Sequence, residues 1–191
     1  MENHPINFVL FGRSGSGKGT QSDLLHQKFP NTLKLASGEL MRDLAKQDTD
    51  SGKKIKEVLE SGGLPFAQIA ATLWMHKIAY TLKEDQGLIC DGFPRRLEEA
   101  IDLYEFLKWL KRIDHTKVFL IDISREEAFK RLIARGRSDD HEEAINERLD
   151  WFDEIVMPAI TFFNKKGLLI EINGEQEIQK IHEDIMSKLK G

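Results

Sequence analysis

The run Gly12-Arg13-Ser14-Gly15-Ser16-Gly17-Lys18 constrains this chain more than any other feature in it. A short apolar run, Ile6 to Phe11, precedes it, and a stretch from Gly17 to Phe29 with Leu24, Leu25 and Phe29 at helical spacing follows. An apolar run that stops at glycine and gives way to a helix reads as a buried strand, a tight loop and a covering helix. Glycines let backbone N–H groups converge on an anion without Cβ clash, and the positive end of the next helix points at the same spot. The pattern G-x-x-x-x-G-K is complete from Gly12 to Lys18, and Lys18 is placed to reach a β- or γ-phosphate. The strict form has Ser or Thr directly after the lysine; here Gly19 intervenes and Thr20 follows. The dinucleotide form G-x-G-x-x-G fails, because from Gly15 its third glycine would fall at Thr20.

The remaining apolar runs extend the same plan. Thr32–Ala36, Leu88–Cys90, Val118–Ile123 and Leu168–Ile172 read as further strands. Helical spacing lies between them: Leu97 to Leu110, Ile145 to Phe163 with Pro158 expected to kink it, and Ile178 to Leu189. Strand–helix alternation with apolar strands predicts an α/β fold: a parallel sheet covered on both faces, with ligands at the carboxyl ends of the strands. Between about Ser37 and Leu82 no strand is apparent, so that region reads as a helical insert. Trp74, Trp109 and Trp151 are expected to pack in the core or in grooves. At 191 residues the chain is one domain, 1–191.

Composition removes several classes of function. A net charge of −4 argues against general nucleic-acid binding. The single cysteine, Cys90, excludes an internal disulfide and a cysteine-built zinc site and fits a reducing compartment. No apolar run is long enough to span a bilayer and no signal-peptide pattern opens the chain, so the expectation is a cytoplasmic protein. The six histidines show no H-x-x-x-H spacing, no G-x-S-x-G is present, and Asn164-Lys165-Lys166-Gly167 lacks the aspartate of a guanine-reading motif.

Asp91, at the end of the third strand, faces the loop and reads as a Mg²⁺ group, directly or through water. Arginines follow it and gather later: Arg95, Arg96, Arg131, Arg135, Arg137 and Arg148, with Arg42 in the insert. Phosphoryl transfer spreads negative charge over oxygens, and the planar arginine fork neutralises it well. Taken singly, Arg131, Arg135 and Arg148 would be a solvated helix face paired with Glu127, Asp139 or Glu147; beside the loop and Asp91 they read as phosphate ligands.

With these residues in hand the chain resembles the adenylate kinase family of nucleoside monophosphate kinases. Gly15-Ser16-Gly17-Lys18-Gly19-Thr20-Gln21 resembles its phosphate loop, and Ala36-Ser37-Gly38-Glu39-Leu40-Met41-Arg42 the approach to its monophosphate lobe. Asp91-Gly92-Phe93-Pro94-Arg95 is similar to its most distinctive signature, and Arg131 to Arg148 to its lid region. The resemblance implies a three-layer phosphate-loop fold with a five-stranded parallel sheet. It also implies a monophosphate lobe at 37–66 and a very short lid at 135–141. It implies that Lys18, Arg95, Arg135, Arg137 and Arg148 surround the transferred group. ATP would be held by Gly15, Ser16, Gly17, Lys18, Gly19, Thr20, Arg131 and Arg135, with Gln176 near its adenine. AMP would be held by Ser37, Arg42, Gly63, Leu64, Pro65, Gly92, Phe93, Pro94, Arg95, Glu99, Arg137 and Arg148, and Mg²⁺ would sit through water on Asp91. The implied activity is ATP + AMP giving two ADP, by a monomer acting on small nucleotides with no nucleic-acid or membrane partner. Rival readings are a related kinase with another acceptor (GMP, UMP, CMP or another small molecule) and a nucleotide-gated binding module. Departures from the family pattern are Ser14 for proline, Glu39 for aspartate, Pro65 for valine and Glu99 for glutamine.

Overall fold

The computed structural model describes residues 5–137 and 140–189. Part of the expected lid, Ser138 and Asp139, lies outside the described residues. Five strands, β1 (Asn7–Phe11), β2 (Thr32–Ala36), β3 (Gly87–Asp91), β4 (Thr116–Asp122) and β5 (Leu169–Asn173), form one parallel sheet in the order β2-β3-β1-β4-β5. Every residue of β1 is buried, as a central strand covered on both faces must be. Its side chains alternate between two cores. Phe8 and Leu10 pack with Leu25, Ile181 and Ile185, under α1 (Lys18–Lys28) and α9 (Ile178–Ser187). Val9 and Phe11 pack with Trp74, Leu103 and Phe163, under α4 (Ala67–Thr81), α5 (Leu97–Trp109) and α8 (Met157–Lys165).

The register brings the functional ends level. Leu10 pairs with Asp91, and Asp91 with Ala36, so the loop after β1, the turn after β3 and the start of α2 (Ser37–Ala45) share one edge. The chain leaves β1 towards β2 on one side, and leaves β3 for β4 on the other. The crevice at their carboxyl ends is where such sheets bind ligands. The expected insert consists of α2 and α3 (Asp50–Glu60), which pack on each other. α4, expected within the strandless region, instead buries Trp74 and Ile78 in the main core.

Two expectations are corrected. Trp109 is 76% exposed, stacked on Phe106, rather than packed in a core or groove: it is the last residue of α5 and has turned past the buried stripe. The helical run from Ile145 to Phe163 is interrupted, but by a π-helical turn at Phe152–Val156 between α7 (Glu142–Trp151) and α8, ahead of Pro158. Proline has no N–H, so the carbonyl four residues back loses its helical donor, and a wider turn just before it accommodates that loss. Helix α6 (Arg125–Arg135) is bounded as its sequence suggests: the Ser124 hydroxyl accepts the Glu127 N–H at 3.3 Å, and Gly136 closes it at φ 61°.

The opposite edge of the sheet is tied by one side chain. The Arg112 guanidinium donates to the carbonyls of Gln86 (2.6 Å), Lys83 (2.7 Å) and Glu84 (3.0 Å), and Asn7 donates back to the Arg112 carbonyl at 3.2 Å. Arg112→Ala strips those carbonyls of a charged donor far from the binding edge. We expect a loss of about 2 kcal/mol in denaturant unfolding with unchanged turnover at 25 °C; a fall in turnover without a fall in stability would contradict it.

Candidate active site

Gly12, Gly15 and Gly17 all have positive φ, at 147°, 87° and 91°. At Gly12 the conformation also enforces closeness, since a Cβ there would sit 2.5 Å from the Ile121 carbonyl oxygen. The loop therefore presses against β4 and reaches α1 with Gly17 as a left-handed cap that offers no side chain. The first N–H groups of α1 face outward without a capping oxygen, which suits an anion. The Lys18 ammonium folds back onto the loop, donating to the carbonyls of Gly12 (2.6 Å) and Arg13 (2.8 Å). Burial lowers its pKa from 10.5 to about 8, against the opposing pull of Asp91. Burial likewise raises Asp91 above the ordinary carboxylate range, while Lys18 and Lys34 pull it down.

A cavity of about 500 Å³ opens over this edge. Lys18, Lys34, Arg42, Arg95, Arg131, Arg135, Arg137 and Arg148 line it, against the carboxylates of Asp23, Glu39 and Asp91. Gly15, Gly17, Gly19 and Thr20 form its floor, and Gly63 and Gly92 its far wall. Such an excess of cations in one hollow is an anion site. A small pocket adjoins it, sharing Gly92 and Arg95 and lined by Ser37, Met41, Leu64, Pro65, Ala70 and Glu99. Ser37 donates to the Gly92 carbonyl at 2.5 Å, and Arg95 donates to the same carbonyl at 2.8 Å and to the Ser37 hydroxyl at 3.3 Å. This knot fixes the Arg95 guanidinium at the mouth of the small pocket, over the Trp151 ring at 5.4 Å. Glu99 is 4% exposed, and one of its oxygens accepts the Arg95 N–H at 3.4 Å, as an acid at the third position of a helix does when it caps its own N-terminus. Burial pushes its carboxyl above the usual range.

Most expected site residues meet at these two hollows. Phe93 does not: it is buried and stacked on Trp74 at 5.3 Å, so it shapes the turn from behind, and Pro94 also lines neither hollow. Ser16 is buried in the loop, and Gln176 bonds Asn173 and Asp184 at 2.9 Å outside the cavity. Arg131 does pair with Glu127 at 2.7 Å, the bland alternative, yet still lines the cavity. Arg135 and Arg148 pair with Asp140, while Asp139, one of the expected partners, lies outside the described residues. Asp140 escaped the sequence reading. It takes a two-pronged bond from Arg135 (2.8 and 2.7 Å), one from Arg148 (2.7 Å) and the Arg137 N–H (3.1 Å). Its burial disfavours the charge, but the bonds from Arg135 and Arg148 prevail and hold its carboxyl down at about 2. Lys34, which forms an ion pair with Asp23, and Trp151, which donates to the Gly62 carbonyl at 3.0 Å, were also missed; no motif marks either.

A glycine loop capped by a helix, at the switch point of a parallel sheet and under a cationic cavity, defines an α/β protein of the phosphate-loop class. The chain belongs to the adenylate kinase family, whose model, described as "Adenylate kinase", matches residues 10–168. Among curated relatives, an "Adenylate kinase" of Prochlorococcus marinus (strain AS9601) is 33% identical over 183 residues, covering 96% of this chain and 98% of its own length. One of Leptospira biflexa serovar Patoc (strain Patoc 1 / Ames) is 33% identical over 186 residues, covering 95% and 98%. One of Ureaplasma urealyticum serovar 10 is 31% identical over 218 aligned positions, covering 97% and 99%; that alignment is longer than this chain and so carries gaps.

Because free Lys18 titrates near 8 and a bound polyphosphate would raise that value, binding takes up a proton above this pH. Affinity for ATP, measured by calorimetry, is therefore expected to be steady below about pH 7.5 and to fall as pH rises past 8. In Lys18→Met both the affinity and the pH dependence should be lost, with the circular-dichroism spectrum unchanged.

Proposed function

We propose that this chain transfers the γ-phosphoryl group of ATP reversibly to AMP, giving two ADP. The observation that supports this reading best is that a glycine loop and a small adjoining pocket open on one arginine-lined cavity, with Arg95 lining both hollows. In it the loop and Lys18 bind the donor's phosphates, and Arg42 and Arg95 bind the acceptor's. Arg135, Arg137 and Arg148 neutralise charge on the group in flight. No general base is needed, because the attacking oxygen of AMP is already anionic. The Asp140 carboxylate, which holds Arg135 and Arg148 while no phosphate is present, keeps the two guanidinium groups converging on one spot. The segments 37–66 and 135–141 are the parts that close on the nucleotides.

Magnesium fits the site. Asp91 is a single carboxylate on the strand edge beside Gly19, and Mg²⁺ is usually held by one or two carboxylates together with substrate phosphates. Bound there, the ion would supply charge neutralisation between donor phosphates. No helix among the described residues is long and apolar enough to cross a membrane. The free, buried Cys90 thiol supports a cytoplasmic protein, and the net negative charge supports one that works on small nucleotides without nucleic acid; in this reading it acts as a monomer.

A coupled assay for ADP formation with AMP, GMP, CMP and UMP tests the reading directly; AMP should be the best acceptor, and no ADP from any of the four would defeat it. In Arg42→Ala the acceptor affinity should drop about ten- to a hundredfold, the scale of one charged hydrogen bond, while ATP affinity holds. Equal losses for both nucleotides would argue against separate sites. Glu99 sets a finer expectation. An ionised carboxylate only accepts, which suits adenine's amino group but opposes its N1, whereas an amide can donate there. Glu99→Gln should tighten AMP binding by about tenfold, and an unchanged AMP constant would remove Glu99 from base reading.

A further inference from the structure

Arg13 stands inside the phosphate loop but is absent from the cavity lining. Its side chain, 18% exposed, runs the other way, between the end of β4 and the π-helical turn. One terminal nitrogen donates to the Ile123 carbonyl at 3.2 Å and lies 3.6 Å from Asp122; the other donates to Asp153 at 2.5 Å. The guanidinium carbon sits 4.7 Å above the centre of the Phe152 ring, and Nε is buried without a partner. An ordinary surface ion pair holds one contact in water. This fork is instead spent on a carbonyl, a carboxylate and a ring face at once.

Both ends of this bridge carry chemistry. At one end, the Arg13 carbonyl accepts the Lys18 ammonium at 2.8 Å and the Ser16 N–H at 3.1 Å, so the backbone of Arg13 helps to set the loop. At the other, Phe152 lies four residues after Arg148 on a continuous helical run, which places the two side chains on neighbouring turns of one face. Arg148 and the turn that Arg13 grips thus belong to one helical run.

We propose that Arg13 is a positioning residue, which clamps the π-helical turn to the phosphate loop and so keeps Arg148 in register with the group the loop binds. The inference rests on the phosphoryl-transfer reading for its kinetic consequence but not for the coupling itself. A π-turn is a place where a helix can rewind, and a clamp across it fixes which winding the loop meets.

The test uses Arg13→Ala, Asp153→Ala and the double variant, with Arg13→Lys and Asp153→Asn as milder forms should either alanine protein fail to fold. Asp153 meets the loop through the Arg13 guanidinium. We expect each alanine change to lower kcat about ten- to a hundredfold, the scale of a small misplacement of a catalytic group, with ATP affinity by calorimetry retained. The double variant should be no worse than either single one, since all three break the same bridge. Arg13→Lys, which keeps the pair with Asp153 but loses the fork, should recover part of kcat. Hydrogen–deuterium exchange gives a readout apart from activity: Asp153→Ala should speed exchange in residues 14–17, and Arg13→Ala in residues 152–156. Two results would overturn the proposal. One is a lowered unfolding temperature with kcat intact, which marks a mere brace; the other is losses in kcat that multiply in the double variant. If the wild-type protein forms no ADP at all, the transfer reading fails on its own, and the exchange experiment still decides whether loop and turn are coupled.

Discussion

Everything at the site hangs from the confinement of β1. It is hydrogen-bonded on both edges, to β3 and to β4, and buried on both faces. A slip of one residue would exchange Phe8 and Leu10 for Val9 and Phe11 between two cores that are both already filled. The carboxyl end of the strand is therefore fixed in height relative to Asp91 and Ala36. Gly12, which admits no side chain against the Ile121 carbonyl, converts that height into the position of the loop. The loop glycines are costly in chain entropy, and the two packed cores are what offset that cost.

On this rigid edge the protein concentrates positive charge that it cannot fully satisfy. Lys18 is lowered to about 8 because burial strips its water, and its bonds to two loop carbonyls replace only part of it. Arg135 and Arg148 solve the same difficulty by sharing Asp140. The result is a hollow in which Lys18 is already stripped of water and Arg135 and Arg148 are already aimed before any phosphate arrives. Interactions so arranged need little reorganisation when charge develops in a reaction. The Asp140 carboxylate that gathers these two guanidinium groups is held low enough in pKa to remain an anion throughout the physiological range.

The fold was readable to the extent that its signals are local. An apolar run ending in glycine and the glycine loop that follows it each act over a few residues, and they predict β1, the turn after it and α1. What escaped depends on distance in sequence. Asp140 acquires its meaning only when α6 and α7 fold back so that Arg135 and Arg148 converge on it. Trp109 follows the spacing of a buried helix yet lies past the end of the buried stripe. Proline announces a disturbance near 158, but not that the helix widens at Phe152–Val156, a choice made by what that turn packs against. The residues of the glycine loop and the Asp91 turn that line the cavity were legible because they stand consecutively in the chain. Lys34 and Trp151 were not, because each is one side chain on an otherwise ordinary element.

The far rim of the cavity is closed with little material. The Trp151 indole donates to the Gly62 carbonyl at 3.0 Å, His141 bonds the Glu60 carbonyl at 2.9 Å, and Gly62 itself lies against Ala144, where a Cβ would come within 2.4 Å of the Ala144 carbonyl oxygen. These are contacts to backbone carbonyls and between small residues. Water can take up each of these carbonyls if its bond is released. A seam of this kind costs on the order of 1 kcal/mol per hydrogen bond to open. Two such bonds are light beside the charge-assisted contacts that the arginines lining this cavity can offer a phosphate.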